Sequence, residues 1–122
     1  MTGAPAFALV HGWLEILIEG SPRRRVQPDG RDVRFIAVVP QVDGVLVLSN
    51  PVGAGGRKHN LALVDGLGEV VWRAELPPGQ QVESYATVTL DGSDELFAST
   101  WSGFLVALDW RTGKILSSDW GK

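Results

Sequence analysis

The side chains that could form a hydrolytic site are serines and histidines, and they are separated along the chain. His11 and His59 lie in the first half, whereas five serines follow residue 92: Ser93, Ser99, Ser102, Ser117 and Ser118. A serine nucleophile needs a base within hydrogen-bond reach, and a common context for such a serine is G-x-S-x-G. No serine has that context, and the C-terminal half has no histidine. The sequence therefore predicts a protein that is not an enzyme.

The sequence also shows neither a phosphate-binding loop nor a cluster of metal ligands. The segment 53–58 reads GAGGRK, but it lacks the G-x-x-x-x-G-K-[ST] spacing of a phosphate loop, and no helix is expected after it. Asp91, Asp94 and Glu95 could bind calcium or transfer protons, but an exposed hairpin turn is the simpler explanation for them. Neither histidine has other metal-ligand types clustered beside it. We expect neither a metal nor a cofactor.

Aromatic and basic residues are better candidates for function, because they suit binding. Five tryptophans are many for this length, and Trp101 and Trp110 fall at expected turns or strand ends. Together with Tyr85 they could anchor a partner protein, or they could fill the ends of a small core. The one basic cluster could meet an acidic partner or phosphate, or lie in a solvated loop; its members are Arg23, Arg24, Arg25, Arg31 and Arg34.

Length and charge limit the possible classes of protein. A chain of 122 residues suits one compact domain, and its net charge of −3 disfavours general binding to nucleic acid. It has no cysteine, which fits a reducing compartment, so a cytoplasmic location is expected. The apolar segment 4–18 has no preceding Lys or Arg and is interrupted by His11, Gly12 and Glu15, so we expect neither a signal peptide nor a membrane span.

The elements that must position these residues are short strands. Beyond residue 32, runs of Val, Ile, Leu and aromatic residues alternate with clusters of Gly, Pro, Asn and Asp, which is typical of strands joined by turns. The predicted strands are 33–39, 45–49, 60–64, 69–75, 84–90, 95–100, 104–109 and 114–118. Residues 1–32 form an N-terminal segment, in which 7–19 is either a short amphipathic helix or a strand hairpin turning at His11 and Gly12, and 20–32 is a loop. Ile16, Ile18 and the glycine favour the hairpin.

The eight strands divide into two similar sets. Residues 33–76 and 84–120 each read as four strands, with V-L-V-L-S-N at 45–50 matching E-L-F-A-S-T at 95–100, and L-A-L-V-D at 61–65 matching L-V-A-L-D at 105–109. A repeat of this length with four strands is the period of a propeller blade. The sequence predicts an all-β fold of two antiparallel four-stranded meanders within a single domain. A small β-sandwich or barrel is the alternative.

The segment 107–116 also carries a motif. The chain resembles the PQQ-type (quinoprotein) β-propeller repeat, A-x-D-x-x-T-G-K-x-x-W, at Ala107, Asp109, Thr112, Gly113 and Lys114, and departs from it at Ser117, where the family has tryptophan. The first repeat keeps only Asp65, Gly68 and Trp72. Turn chemistry alone explains these residues, because aspartate and threonine accept hydrogen bonds from turn amides and glycine tolerates positive φ. The resemblance implies blade-like scaffolding over residues 33–120, without the quinone or metal of complete rings.

The predicted function follows from an unfinished ring. Two blades are about half of the smallest propeller, so an apolar face would stay exposed unless something covers it. We therefore expect a non-enzymatic protein–protein interaction module or a self-assembling β scaffold, of inhibitor, immunity or adaptor type, that binds a protein partner or forms a homo-oligomer. The alternative is a small-molecule-binding or enzymatic domain whose site lies between subunits of a closed propeller.

Overall fold

A computed structural model describes residues 4–50, 59–77, 84–91 and 95–120 of the chain. Its regular structure is almost entirely strand, with one short 3-10 turn at Pro40–Val42. The strands are β1 Ala6–Val10, β2 Trp13–Leu17, β3 Arg24–Val26, β4 Val33–Val39, β5 Gly44–Ser49, β6 Leu61–Val64, β7 Val70–Arg73, β8 Tyr85–Leu90, β9 Leu96–Thr100, β10 Phe104–Leu108 and β11 Ile115–Trp120. Within these ranges no helix has the length and apolar character needed to cross a membrane.

The strands form three antiparallel sheets. We call them the N-terminal sheet (β1-β2-β3), the central sheet (β4-β5-β6-β7) and the C-terminal sheet (β11-β10-β9-β8). The all-β fold and the two four-stranded meanders are confirmed. The barrel alternative is wrong, because none of the three sheets closes on itself over the described residues: each has two edge strands.

The central sheet is covered on both faces. One cluster of buried side chains joins it to the C-terminal sheet, through pairs such as Leu48 and Val88. A second cluster joins its other face to the N-terminal sheet, with Leu14 and Ile16 packed on Val45 and its neighbours. All six residues of β5 are therefore buried, because a strand in a sheet with two covered faces has no solvent side.

The N-terminal segment contains a hairpin at His11 and Gly12. Both residues have positive φ, 48° and 83°, which is the geometry of the two-residue turns that match the twist of paired strands. The third strand of this sheet, β3, lies where the sequence predicts a loop. It pairs with β2 so that Arg25 lies opposite Glu15, and the Arg25 Nε to Glu15 Oε2 distance is 2.9 Å. The three residues of β3 do not alternate between apolar and polar, so their sequence does not predict a strand.

The two hairpin turns of the predicted motif have closely related hydrogen bonds. Asp65 Oδ1 accepts from the amides of Leu67 and Glu69 at 2.9 and 3.0 Å. Asp109 Oδ1 accepts from the amide of Arg111 at 2.9 Å, and the Asp109 carbonyl accepts from Gly113 at 2.7 Å.

Glycine at these turns has a conformational reason. Gly68 and Gly113 both have positive φ, 87° and 75°, and a Cβ at Gly113 would overlap the Trp72 ring. Thr112 Oγ1 also accepts from the amide of Lys114 at 3.3 Å. The aspartates and glycines at these positions therefore serve the backbone of the turns.

Candidate interaction surface

Over the described residues, neither histidine is hydrogen-bonded to a serine. His11 is exposed in the first hairpin turn, and His59 contacts the Ala74 carbonyl through Nδ1 at 3.1 Å. Ser99 pairs with Thr87, with 2.5 Å between their hydroxyl oxygens. The described part of the chain also contains no group of three His, Asp or Glu side chains that could hold a metal. The glycine-rich loop 53–58, Ser93 and Asp94 lie outside the described residues.

Tyr85, predicted as a partner contact, is part of the core. Its side chain is 0% exposed, and its hydroxyl donates to the carbonyl of Glu75. Its main chain is held by a buried amide, because Asn60 Oδ1 accepts from the Tyr85 amide and Asn60 Nδ2 donates to its carbonyl, both at 2.9 Å. Tyr85 is therefore fully buried between the two sheets and presents no surface to solvent.

Trp110 lies where the central and C-terminal sheets meet, in the β10–β11 turn and next to β7. Its carbonyl accepts from the indole Nε1 of Trp72 at 2.9 Å, and its ring packs at the margin of the larger core cluster. The Arg111 guanidinium carbon lies 4.4 Å from the centre of that ring. Because the Trp72 ring also lies against Gly113, β7 packs directly on the β10–β11 turn. A structural role therefore accounts for the position of Trp110.

Trp101 differs from the other two predicted anchors because it is exposed. It follows β9, and 61% of its side chain is accessible to solvent. The guanidinium carbon of Arg34 lies 5.6 Å from the ring centre, within the range of a cation–π contact. Arg34 belongs to β4, so this contact links the central and C-terminal sheets at the surface. In the sequence Arg34 belongs to a basic cluster, and its distance of 67 residues from Trp101 gives no sign of this contact.

A groove opens beside this pair, between the edge strands β4 and β8. We call it the edge groove; it has a volume of about 260 Å³, and its lining residues are Arg34, Phe35, Leu48, Ala86, Thr87 and Val88. Phe35 is 43% exposed on the rim, whereas Leu48 and Val88 are buried at its base. The groove thus has an apolar floor, with one aromatic ring and one cation at its edge.

The charge of the edge groove is determined by Arg34. Its one hydrogen bond within the described residues goes from Nη2 to the Ala86 carbonyl, and no described carboxylate lies within ion-pair distance of it. The rest of the basic cluster is differently engaged. Arg23 and Arg25 pair with Glu15, Arg31 pairs with Asp29, and Arg24 donates to the Leu67 carbonyl at 2.7 Å. Most N–H donors of the Arg34 guanidinium therefore have no acceptor among the described residues.

Two further cavities are of similar size. One, of about 210 Å³, lies beside Trp110 and includes Glu95, Asp109 and Arg111. The other, of about 270 Å³, lies between the N-terminal sheet and the β6–β7 turn, at Arg24 and Leu67. All three are smaller than the roughly 300 to 1,000 Å³ typical of small-molecule and cofactor sites.

The comparisons with known proteins change the expected family. The resemblance to PQQ-type propeller repeats is wrong, because no PQQ or propeller repeat family is detected. The turn residues that suggested it are explained by the hydrogen bonds and positive φ of two antiparallel hairpins, which are not specific to propellers. No curated protein and no solved structure matches the chain. One family model matches residues 30–120, about three-quarters of the sequence, and the chain therefore belongs to that family, a domain of unknown function (DUF7957).

Proposed function

We propose that this protein is a non-enzymatic protein-binding module that contacts its partner through the edge groove and Trp101. An inhibitor, immunity or adaptor role would use such a module in the same way. The compartment expected from the absence of cysteine is a reducing one, so the proposed place of action is the cytoplasm.

The observation that carries this proposal is the convergence of Arg34, Phe35 and Trp101. Phe35 in β4 and Trp101 directly after β9 are both exposed, and the Arg34 guanidinium lies within cation–π range of the indole. Tryptophan and arginine are enriched among the residues that dominate protein–protein binding energies, especially beside a pocket that can be desolvated. Solubility alone does not explain why the rings of Phe35 and Trp101 are exposed beside an open apolar groove.

The small-molecule alternative has less support. It required a site between the subunits of a closed propeller, and the propeller family is not the one that matches. The described cavities are also smaller than typical ligand sites, as given above. A protein segment can fill a shallow groove with one side chain while its backbone stays outside, which fits the edge groove better.

Self-association is a second candidate, favoured by a different surface. Leu105 and Leu116 are 51% and 68% exposed on the C-terminal sheet, and β11 is an edge strand of that sheet. Edge strands present unpaired main-chain groups that a second copy can extend. A homo-oligomer formed there would leave the edge groove open for a partner. Light scattering at several concentrations distinguishes this dimer from a monomer.

Site-specific crosslinking in cells tests the proposed function. A photoreactive amino acid at Thr87 lies in the groove and leaves Arg34, Phe35 and Trp101 intact, whereas the same group at the exposed Val71 lies on β7, at the opposite edge of the central sheet from β4. We expect one discrete adduct from position 87 that Trp101→Ala abolishes and Arg111→Ala preserves. Equal adducts from both positions, or none from position 87, would contradict the proposal.

A further inference from the structure

We propose that the edge groove binds an extended segment of a protein partner in which an acidic side chain stands next to an apolar one. This inference rests on the proposed function and specifies the chemistry of the partner. The acidic side chain pairs with Arg34, and the apolar side chain enters the space between Phe35, Leu48 and Val88.

The acidic preference follows from the donors of Arg34. A guanidinium has five N–H donors in a rigid planar fork that matches a carboxylate, and the described contacts of Arg34 use one of them, toward the Ala86 carbonyl. Stacking on Trp101 limits the orientations of the fork, so less side-chain freedom is lost when a carboxylate binds. No carboxylate in the described ranges occupies that position. In this proposal the charge complement comes from the partner.

The apolar preference follows from the floor of the groove. Leu48 and Val88 face each other from the central and C-terminal sheets, and both belong to the larger core cluster. Phe35 leaves its ring partly exposed over them. A volume of about 260 Å³ is large enough for one aliphatic or aromatic side chain and is below the range typical of cofactor sites. Filling it would extend the existing core by one residue.

The extended conformation follows from the two strands that border the groove. β4 and β8 are edge strands of neighbouring sheets, and both lie on the side opposite the contact between Trp72 and Trp110. An edge strand offers N–H and C=O groups along its free side, and peptides commonly bind such edges by adding a strand. Two side chains of such a segment would reach Arg34 and the apolar floor, which line the same groove.

Peptide titration followed by NMR tests this inference. The probes are acetylated octapeptide amides of mixed Ser and Thr background with a central Glu-Leu pair, and three matched pools with Gln-Leu, Lys-Leu or Glu-Ser. The readouts are the Nε–H signals of Arg34 and Trp101, with Arg111 and the Trp110 indole as internal controls because they form the other arginine–tryptophan pair. The full-length protein is used throughout.

We expect the Glu-Leu pool to shift the Arg34 and Trp101 signals at about three- to fivefold lower concentration than the Gln-Leu pool, as for a partly exposed ion pair. The Lys-Leu and Glu-Ser pools should be weaker still, and Arg34→Gln should reduce the Glu to Gln ratio to about one. Equal shifts from all pools, shifts centred on Arg111, or no shifts overturn the inference. If the crosslink from position 87 persists in that case, the binding function stands and only its proposed chemistry fails.

Discussion

The buried side chain of Asn60 bonds both main-chain groups of Tyr85. Its Oδ1 accepts from the Tyr85 amide, its Nδ2 donates to the Tyr85 carbonyl, and the same Nδ2 donates to the Ser49 carbonyl at 2.8 Å. Asn60 thus joins the end of β5 in the central sheet to the start of β8 in the C-terminal sheet. Ala86 and Thr87, which line the edge groove, follow directly along β8, so this amide fixes one wall of the groove.

Asn60→Ala should therefore destabilise the protein strongly. The change leaves the Tyr85 amide and two carbonyls buried without these partners, and each unsatisfied buried group costs about 1 to 3 kcal/mol. We expect the free energy of unfolding, measured by urea titration with circular dichroism, to fall by about 3 kcal/mol. Thr87→Ala, on the exposed surface nearby, should change it by less than about 0.5 kcal/mol. A loss below about 1 kcal/mol for Asn60→Ala would show that water replaces the amide.

A comparison of two glycines tests the contact between Trp72 and the β10–β11 turn. Gly113 and Gly30 both have positive φ, but a Cβ would overlap the Trp72 ring at Gly113 and meet nothing within 4 Å at Gly30. Gly30→Ala should cost about 1 to 2 kcal/mol from backbone strain alone. Gly113→Ala should cost a further 1 to 3 kcal/mol or so, because the ring must move. Equal losses of thermal stability in the two variants would mean that the ring yields without cost.

Trp72→Phe isolates one hydrogen bond of the same region. Phenylalanine keeps much of the apolar ring but removes the Nε1–H that donates to the Trp110 carbonyl at 2.9 Å. We expect a loss of about 1 to 2 kcal/mol in chemical denaturation from the missing donor and the smaller ring. Trp13→Phe, at an exposed ring on the N-terminal sheet, serves as the control and should be close to neutral. An equal loss in both variants would show that the hydrogen bond contributes nothing specific.

The arginines around Glu15 should differ in their effects. The Glu15 side chain is 5% exposed, and Arg25 approaches it at 2.9 Å whereas Arg23 approaches at 3.5 Å. Both arginines are themselves largely exposed, so solvent screening limits either contribution to roughly 1 kcal/mol. Arg25→Ala should cost more stability than Arg23→Ala, and added salt should reduce the difference. Identical effects of the two substitutions at low salt would contradict the assigned geometry.

Local sequence signals predicted the meanders but not the surface between them. The turns at Asp65 and Asp109 are readable because aspartate and glycine at fixed offsets define them within a few residues. The contact between Arg34 and Trp101 depends on how two sheets stack, which no local pattern encodes. The same holds for Asn60, whose partners come from β5 and β8, and for Tyr85, whose burial depends on that stacking. β3 was missed because ion pairs and pairing to β2 hold a sequence without apolar alternation.

The variants Trp101→Ala and Arg34→Ala test whether these two side chains anchor a partner or stabilise the core. Because Trp101 is mostly exposed, we expect each variant to fold with a loss of at most about 1 kcal/mol, the size of an exposed cation–π contact. Although they fold, both variants should lose the crosslink that the photoreactive amino acid at position 87 forms with the partner. A Trp101→Ala variant that loses several kcal/mol in thermal unfolding would identify the ring as core, contrary to the proposed surface.

Amide hydrogen exchange of the protein with its crosslinked partner is the most direct test of the edge groove. The exchange is compared with that of the free protein, strand by strand. We expect new protection along β4 and β8, with β11 and the Leu105 and Leu116 surface unchanged. Protection confined to β11, or no change in β4 and β8, would place the partner elsewhere and contradict the assignment of the edge groove as the binding site.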